Sequence, residues 1–170
     1  MVFTINSKKY GIHTVEIDDE DWSKVKNYKW HVLYMPKRKT GLCHAIVTNV
    51  RKGDGQTNLY LHRLILPNFT FVDHIDGNPL NNKKSNLRGC TIAENNRNVK
   101  TSRTNTTGYK GVGWHTEKYK GIVYTRIRAR ISVNGKLIHL GLFPTLKAAA
   151  LAYNEAALKY HGEFARLNEI

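Results

Sequence analysis

Hydrophobic and polar positions alternate most cleanly in "GIVYTRIRARISV". Val123, Thr125, Ile127, Ala129, Ile131 and Val133 fall on one face, and Tyr124, Arg126, Arg128, Arg130 and Ser132 on the other. A period of two predicts a strand with one buried side. Asn134-Gly135 then supplies two residues that tolerate positive φ, the preferred hairpin turn. The implied register sets Ile131 opposite Ile138, Arg130 opposite His139 and Ala129 opposite Leu140, which keeps one face apolar on both strands. Beyond "LGLFPT" the period changes to that of a helix. Thr145 is its expected cap, Gly162 its stop, and Leu146, Ala149, Tyr153, Ala156, Ala157 and Tyr160 its apolar side. So many alanines allow close approach of helix to sheet.

Earlier in the chain the pattern is less regular. "KYGIHTVEI" predicts a strand, and "DDEDWSKVKN" a short helix capped by Asp18 or Asp19. "KWHVLYM" and "LCHAIVTNV" predict strands flanking the loop "PKRKTG", while "LYLHRLIL" fits a strand or a short helix. "TIAE" is a capping box, in which Thr91 opens a helix and Glu94 reaches back to it. After Val99 the stretch "VKTSRTNTTG" lacks any bulky apolar residue and reads as a solvated linker. The expected organisation is a β-rich and central region over 1–98, a linker over 99–107 and a sheet-plus-helix module over 108–170. No repeat is visible. There is no apolar leader and no run approaching a membrane span, so a cytoplasmic protein without membrane contact is expected.

Charge narrows the partners. The 170 residues carry a formal charge of +14. Residues 1–100 hold 16 Lys and Arg against 9 Asp and Glu, and residues 101–170 hold 11 against 4, so each part nets +7. Both would be drawn to a polyanion, most naturally a nucleic acid. Two cysteines without a C-x-x-C pair argue against a zinc knuckle or a disulfide scaffold and for a reducing compartment. Arg126, Arg128 and Arg130 recur roughly 6.6 Å apart along their strand. Such a row suits phosphates and guanine edges, with Trp114, His115 and His139 on the same module. The alternative is an edge strand made basic to block aggregation.

The segment "GYKGVGWH…RARISVNGKLIHLGLFPTLKAAALAYNEAALKYHGEFARLN" resembles the Apetala-type, ethylene-response-factor-like DNA-binding domain across 107–168. That resemblance implies a three-stranded antiparallel sheet in the major groove, supported from behind by a helix. It carries DNA contact onto Lys110, His115, Arg130 and His139, with Arg128 on the same face. Trp114 and Arg126 join the expected interface. Gly113 stands where many plant members place a contacting Arg, so their target sequence does not transfer.

The chemistry concentrates in "VDHIDGNPLNNKKSNLRGCTIAENNRN", which follows the order D-H-x(11)-N-x(8)-N through Asp73, His74, Asn86 and Asn95. Two extended segments followed by a helix could bring Asp73 and Asn95 around one ion. Oxygen donors without cysteine favour a hard cation such as Mg²⁺, or Mn²⁺. His74, with an ordinary pKa near 6.5, suits a general base toward the attacking water. Neighbouring side chains would then serve the metal and the nucleophile, provided the backbone bends at Ile75–Gly77. With "HRLI" upstream, the set resembles the HNH nuclease family, in the subgroup whose first motif residue is Asp, over roughly 60–98. The resemblance implies a ββα-metal fold, and hence an α+β class overall. It assigns Asp73 and Asn95 to one divalent ion, His74 to the base and Asn86 to pinning the loop. Asn96 is a second-choice ligand. Packing is expected of His62, and DNA contact of Arg63 and Arg97.

An HNH nuclease joined to such a reader resembles phage and bacterial homing endonucleases. The expectation is a site-directed endonuclease on double-stranded DNA, with no small-molecule substrate, nicking as a monomer. The alternative is a non-catalytic DNA-binding regulator that keeps the HNH segment as scaffold. RNA binding ranks third, since no RNA-recognition signature is present.

Overall fold

The computed structural model describes residues 1–35, 43–53, 55–102 and 104–170, which form two compact units, Met1–Asn96 and Arg97–Ile170. The first opens with a hairpin of β1 (Val2–Ser7) and β2 (Gly11–Glu16), followed by the short helix α1 (Trp22–Val25). β3 (His31–Met35), β4 (Cys43–Lys52) and β5 (Gly55–Tyr60) make an antiparallel sheet in sequence order. The anticipated loop "PKRKTG" lies outside the described residues. "LYLHRLIL" proves to be both of its alternatives, for β5 ends at Tyr60 and α2 (Leu61–Ile65) starts at once. β6 (Val72–His74) pairs with β7 (Leu87–Gly89), and α3 (Ile92–Arg97) follows. One core joins these pieces, with Val15, Ile17, Val25, Ile46, Leu61, Ile65, Val72 and Leu87 all buried.

β1 is a strand that the pattern did not single out. Its alternation is weak because only Ile5 turns fully inward. The acidic turn also behaves differently from a cap. Asp18 occupies the N-cap position without a capping bond, because its Oδ2 accepts from the Lys84 backbone N–H at 2.7 Å.

In the second unit, β8 (Val112–Tyr119), β9 (Ile122–Val133) and β10 (Lys136–Phe143) form an antiparallel sheet with β9 central, and α4 (Leu146–His161) packs on it. Thr145 accepts from the Ala148 N–H, which makes it the N-cap, and Gly162 follows the helix with φ 55. Ile131 pairs with Ile138 and Arg130 with His139, as the turn implies. Ala129, however, sits opposite Gly141, because a bulge between His139 and Gly141 inserts Leu140. Gly141 has φ 131, a conformation that side chains disfavour, and Leu140 packs into the core beneath. Burial on β9 follows the expected face only from Ile127 onward; Val123 is 60% exposed, in the part of the hairpin farthest from Ala129 and Ile131. Tyr160 also departs from expectation and is exposed, while Ala150 and His161 are buried in the helix face. The stretch read as a solvated linker is bonded at its end. Asn105 and Thr107 side chains donate to the carbonyls of Tyr109 and Val112.

Candidate active site

β6 and β7 place opposed charges across one rung. Asp73 pairs with Arg88 in the register, and both Nη2 and Nε of Arg88 donate to Asp73 Oδ2, at 2.8 and 3.1 Å. Asp73 is 5% exposed, so the guanidinium supplies the countercharge that a buried ion requires. Arg88 was not among the sequence candidates. Its pairing depends on the register of a hairpin whose connection is too long for turn chemistry to dictate.

His74 is the next residue, on the other side of the strand. Its Nε2 lies 3.2 Å from Asn82 Oδ1, and Asn82 Nδ2 donates to the Pro79 carbonyl at 3.0 Å. Because the amide nitrogen is committed to Pro79, the amide oxygen faces the imidazole. His74 therefore donates through Nε2–H and carries its basic lone pair on Nδ1. Burial pushes the His74 pKa below its ordinary value, against the Asn82 hydrogen bond and the charges of Asp76 and Asp73, which raise it. The ring of His62 meets that of His74 edge-on at 5.3 Å between centroids. Burial first, then the charges of His74 and Arg63, lowers His62 to about 3, so it stays neutral. His62 thus packs against the proposed base, and Arg63 lies over the ring of Tyr60 at 4.9 Å.

The loop between β6 and β7 is held by amides. The backbone bends as expected, with the Gly77 N–H donating to the His74 carbonyl and φ 70 at Gly77. Asn86 is buried; its Oδ1 accepts from the Asp76 N–H at 3.0 Å, and its Nδ2 donates to Asp76 Oδ1 and the Asn81 carbonyl. Burial would raise the Asp76 pKa, but hydrogen bonds from Asn78, Asn81 and Asn86 outweigh it, and the carboxyl ends below its usual range.

The N-terminal hairpin braces the same loop. The Glu16 N–H donates to Leu80 O at 2.9 Å, and the Asn82 N–H donates to Glu16 O at 2.8 Å. Glu16 also pairs with Lys83, and Lys84 with Glu20 and Asp21. Asn82 is 1% exposed because β2 clamps it from behind. Sequence reasoning missed Asn82; the one available signal was the acidic "DDED" matching the "KK" beside it.

Helix α3 begins with the anticipated capping box. Glu94 accepts from the Thr91 N–H and Oγ1–H at 2.7 and 2.8 Å, and the Glu94 N–H donates to Thr91 Oγ1. Asn95, half-buried, follows in the first turn, and Asn96 is exposed. The Cys90 thiol links strand to helix: burial raises its pKa first, and the carboxylates of Asp73 and Glu94 raise it further. Asp73 on β6 and Glu94 in the opening turn of α3 thus both act electrostatically on this thiol. An aspartate carboxylate and an asparagine amide near this junction fit a hard divalent cation by donor type. Among the described residues no three His, Cys, Asp or Glu side chains cluster for a metal.

In the second unit the residues proposed for DNA contact divide. Arg126, Arg130 and His139 are exposed, and Trp114 is 49% exposed. Arg128 Nη1 donates to His115 Nδ1 at 3.1 Å, while His115 Nε2 donates to Glu117 Oε1 at 2.8 Å, so Glu117 orients His115 and His115 orients Arg128. His115, Arg128, Arg130 and His139 line one depression. Lys110 points elsewhere. Its ammonium donates to the carbonyls of Arg97 and Val99, and burial, then Arg166, lowers its pKa to about 8. Its placement suits a structural tie, which engages Arg97 through the backbone carbonyl and not through the side chain.

Comparison with known proteins fits this geometry. The family described as HNH endonuclease matches residues 60–97, from the end of β5 to α3. A protein of Acanthamoeba polyphaga mimivirus named Uncharacterized HNH endonuclease L560 is 32% identical over 155 residues, which is 89% of this chain and 72% of that protein. Protein 3.8 of Escherichia phage T7 is 36% identical over 101 residues, 59% of this chain and 78% of that one. No solved structure matches the chain.

Proposed function

The chain belongs to the HNH endonuclease family, and on that premise we propose a site-directed, homing-type DNA endonuclease that hydrolyses phosphodiesters with one divalent ion. The observation that carries the reading is the anchorage of His74. Asn82 ties Nε2 and leaves the proton-accepting lone pair on Nδ1, as a general base toward water requires. Asn86 and the β2 edge hold the loop that carries Asn82, so the base is oriented before substrate arrives. Asp73 and Asn95 would hold the ion, Mg²⁺ or Mn²⁺. When bound, it would stabilise charge developing on the leaving oxygen.

Double-stranded DNA is the proposed substrate, gripped by the Arg126–Arg128–Arg130 face with His115, His139 and Trp114 beside it. That face supports the Apetala-type reading of the second unit, because it pairs a basic, exposed sheet surface with a helix on the opposite side. One catalytic set per chain implies nicking by a monomer. Among the described residues no helix is long and apolar enough to cross a membrane.

The test is relaxation of supercoiled plasmid with Mg²⁺ or with chelator, comparing wild type with His74→Ala and Asp73→Ala. Wild type should nick only with the metal, and both variants should be inactive. Equal relaxation by all three would assign the chain to non-catalytic DNA binding with a contaminating nuclease.

A further inference from the structure

Arg88 poses a question that the proposed nuclease reading does not answer. Two of its donors, Nε and Nη2, meet Asp73 Oδ2. The Arg88 side chain is 13% exposed and that of Asp73 6%, so the pair is shielded from solvent. Asp73 is also the carboxylate assigned to the divalent ion. An ion there and a guanidinium on the same carboxylate would place like charges in contact, in surroundings that screen them poorly.

We propose that Arg88 is an exchangeable counter-ion of Asp73. It neutralises the carboxylate while no cation is bound, and it releases Oδ2 when a divalent cation binds. The displaced guanidinium then turns to a phosphate oxygen of the strand lying over the site. Such an exchange conserves charge pairing at every stage. The buried carboxylate is never without a cation, and the guanidinium, a bidentate partner suited to phosphate, exchanges one anion for another. Metal and DNA would consequently bind with positive coupling, because DNA offers Arg88 the alternative anion that frees Asp73. The proposal rests on Asp73 being a metal ligand.

Isothermal titration of the full chain with Mn²⁺ alone, without DNA, separates the possibilities. Arg88→Gln should bind Mn²⁺ about tenfold tighter or more than wild type, since no cation has to be displaced. The same variant should gain more thermal stability from Mn²⁺ than wild type does. In anisotropy titrations of a random-sequence duplex, replacing chelator by Ca²⁺ should tighten binding by wild type more than by Arg88→Gln. Native far-UV circular dichroism with unchanged or weaker Mn²⁺ affinity would overturn the exchange and make Arg88 a fixed strut. Should Arg88→Gln fail to fold, Arg88→Met also removes the cation, and the same gain in Mn²⁺ affinity is expected and decides the matter. Asp73→Asn is the separate check on the premise. If it binds Mn²⁺ as wild type does, the metal assignment falls and the exchange with it, whereas a failure confined to Arg88 variants leaves that assignment standing.

Discussion

Asn82→Ala tests whether a single buried amide sets the chemistry of His74. The substitution removes the acceptor for His74 Nε2 at 3.2 Å and the donor to Pro79 O at 3.0 Å. Each lost hydrogen bond costs about 1 kcal/mol, and the groups left unsatisfied raise the total to about 2 to 4 kcal/mol. A neutral imidazole without that acceptor populates both tautomers. A preference of about 1.4 kcal/mol is a ratio of roughly ten, so losing it lowers the form with its lone pair on Nδ1 from about nine-tenths of the population to about half. Single-turnover nicking at saturating Mg²⁺ should therefore fall about twofold, beyond any loss explained by unfolded protein in urea titrations. Asn82→Asp separates the two effects. Its carboxylate can still accept from Nε2 but cannot donate to Pro79 O, so it should recover activity over Asn82→Ala without recovering stability. A folded Asn82→Ala that nicks at the wild-type rate, or an Asn82→Asp no better than Asn82→Ala, would refute the tautomer argument.

Three further outcomes follow from the second unit. Arg128→Ala combined with Arg130→Ala should weaken duplex binding and reduce the slope of log affinity against log salt by about 1.8; an unchanged slope in anisotropy titrations would remove the arginine face from the interface. His161 is buried, with Nε2 donating to Ser132 O and Nδ1 lacking a hydrogen-bond partner among the described residues, and burial, then Arg97 and Lys110, holds its pKa below the ordinary 6.5. The unfolded chain thus binds this proton more readily. Stability should be full above pH 6.5 and fall as pH drops from there through the lower folded value, a limb that His161→Gln should flatten in denaturation midpoints. Gly111 has φ +75, and an added Cβ would lie 2.0 Å from Tyr153 Cδ2 and 2.7 Å from Arg130 O. Gly111→Ala should cost about 2 kcal/mol or more, whereas Gly113→Ala, with nothing within 4 Å, should be near neutral in the same urea titration.

What could be read from the chain alone was local in origin. The Asn134-Gly135 turn, the Thr145 cap and the Thr91–Glu94 capping box each depend on residues within three or four positions. They were legible because backbone geometry and a nearby side chain decide them together. The proposed roles of Asp73, His74, Asn86 and Asn95 came from their order along the chain, which runs through β6, β7 and α3. Long-range pairing decided the rest. "NPLNNKKSN" offers several equivalent amides, and only the edge of β2, some sixty residues away, turns Asn82 toward His74. Asp73 meets Arg88 because the β6–β7 rung aligns them, a register that no short turn imposes. The bulge at Leu140 shifted Ala129 onto Gly141 because packing beneath the sheet outweighed ideal pairing. Lys110, expected at DNA by resemblance, was drawn inward by carbonyls that needed a donor. Chemical identity along the chain determines which groups are available, but a buried polar group chooses its partner only once distant backbone has closed around it.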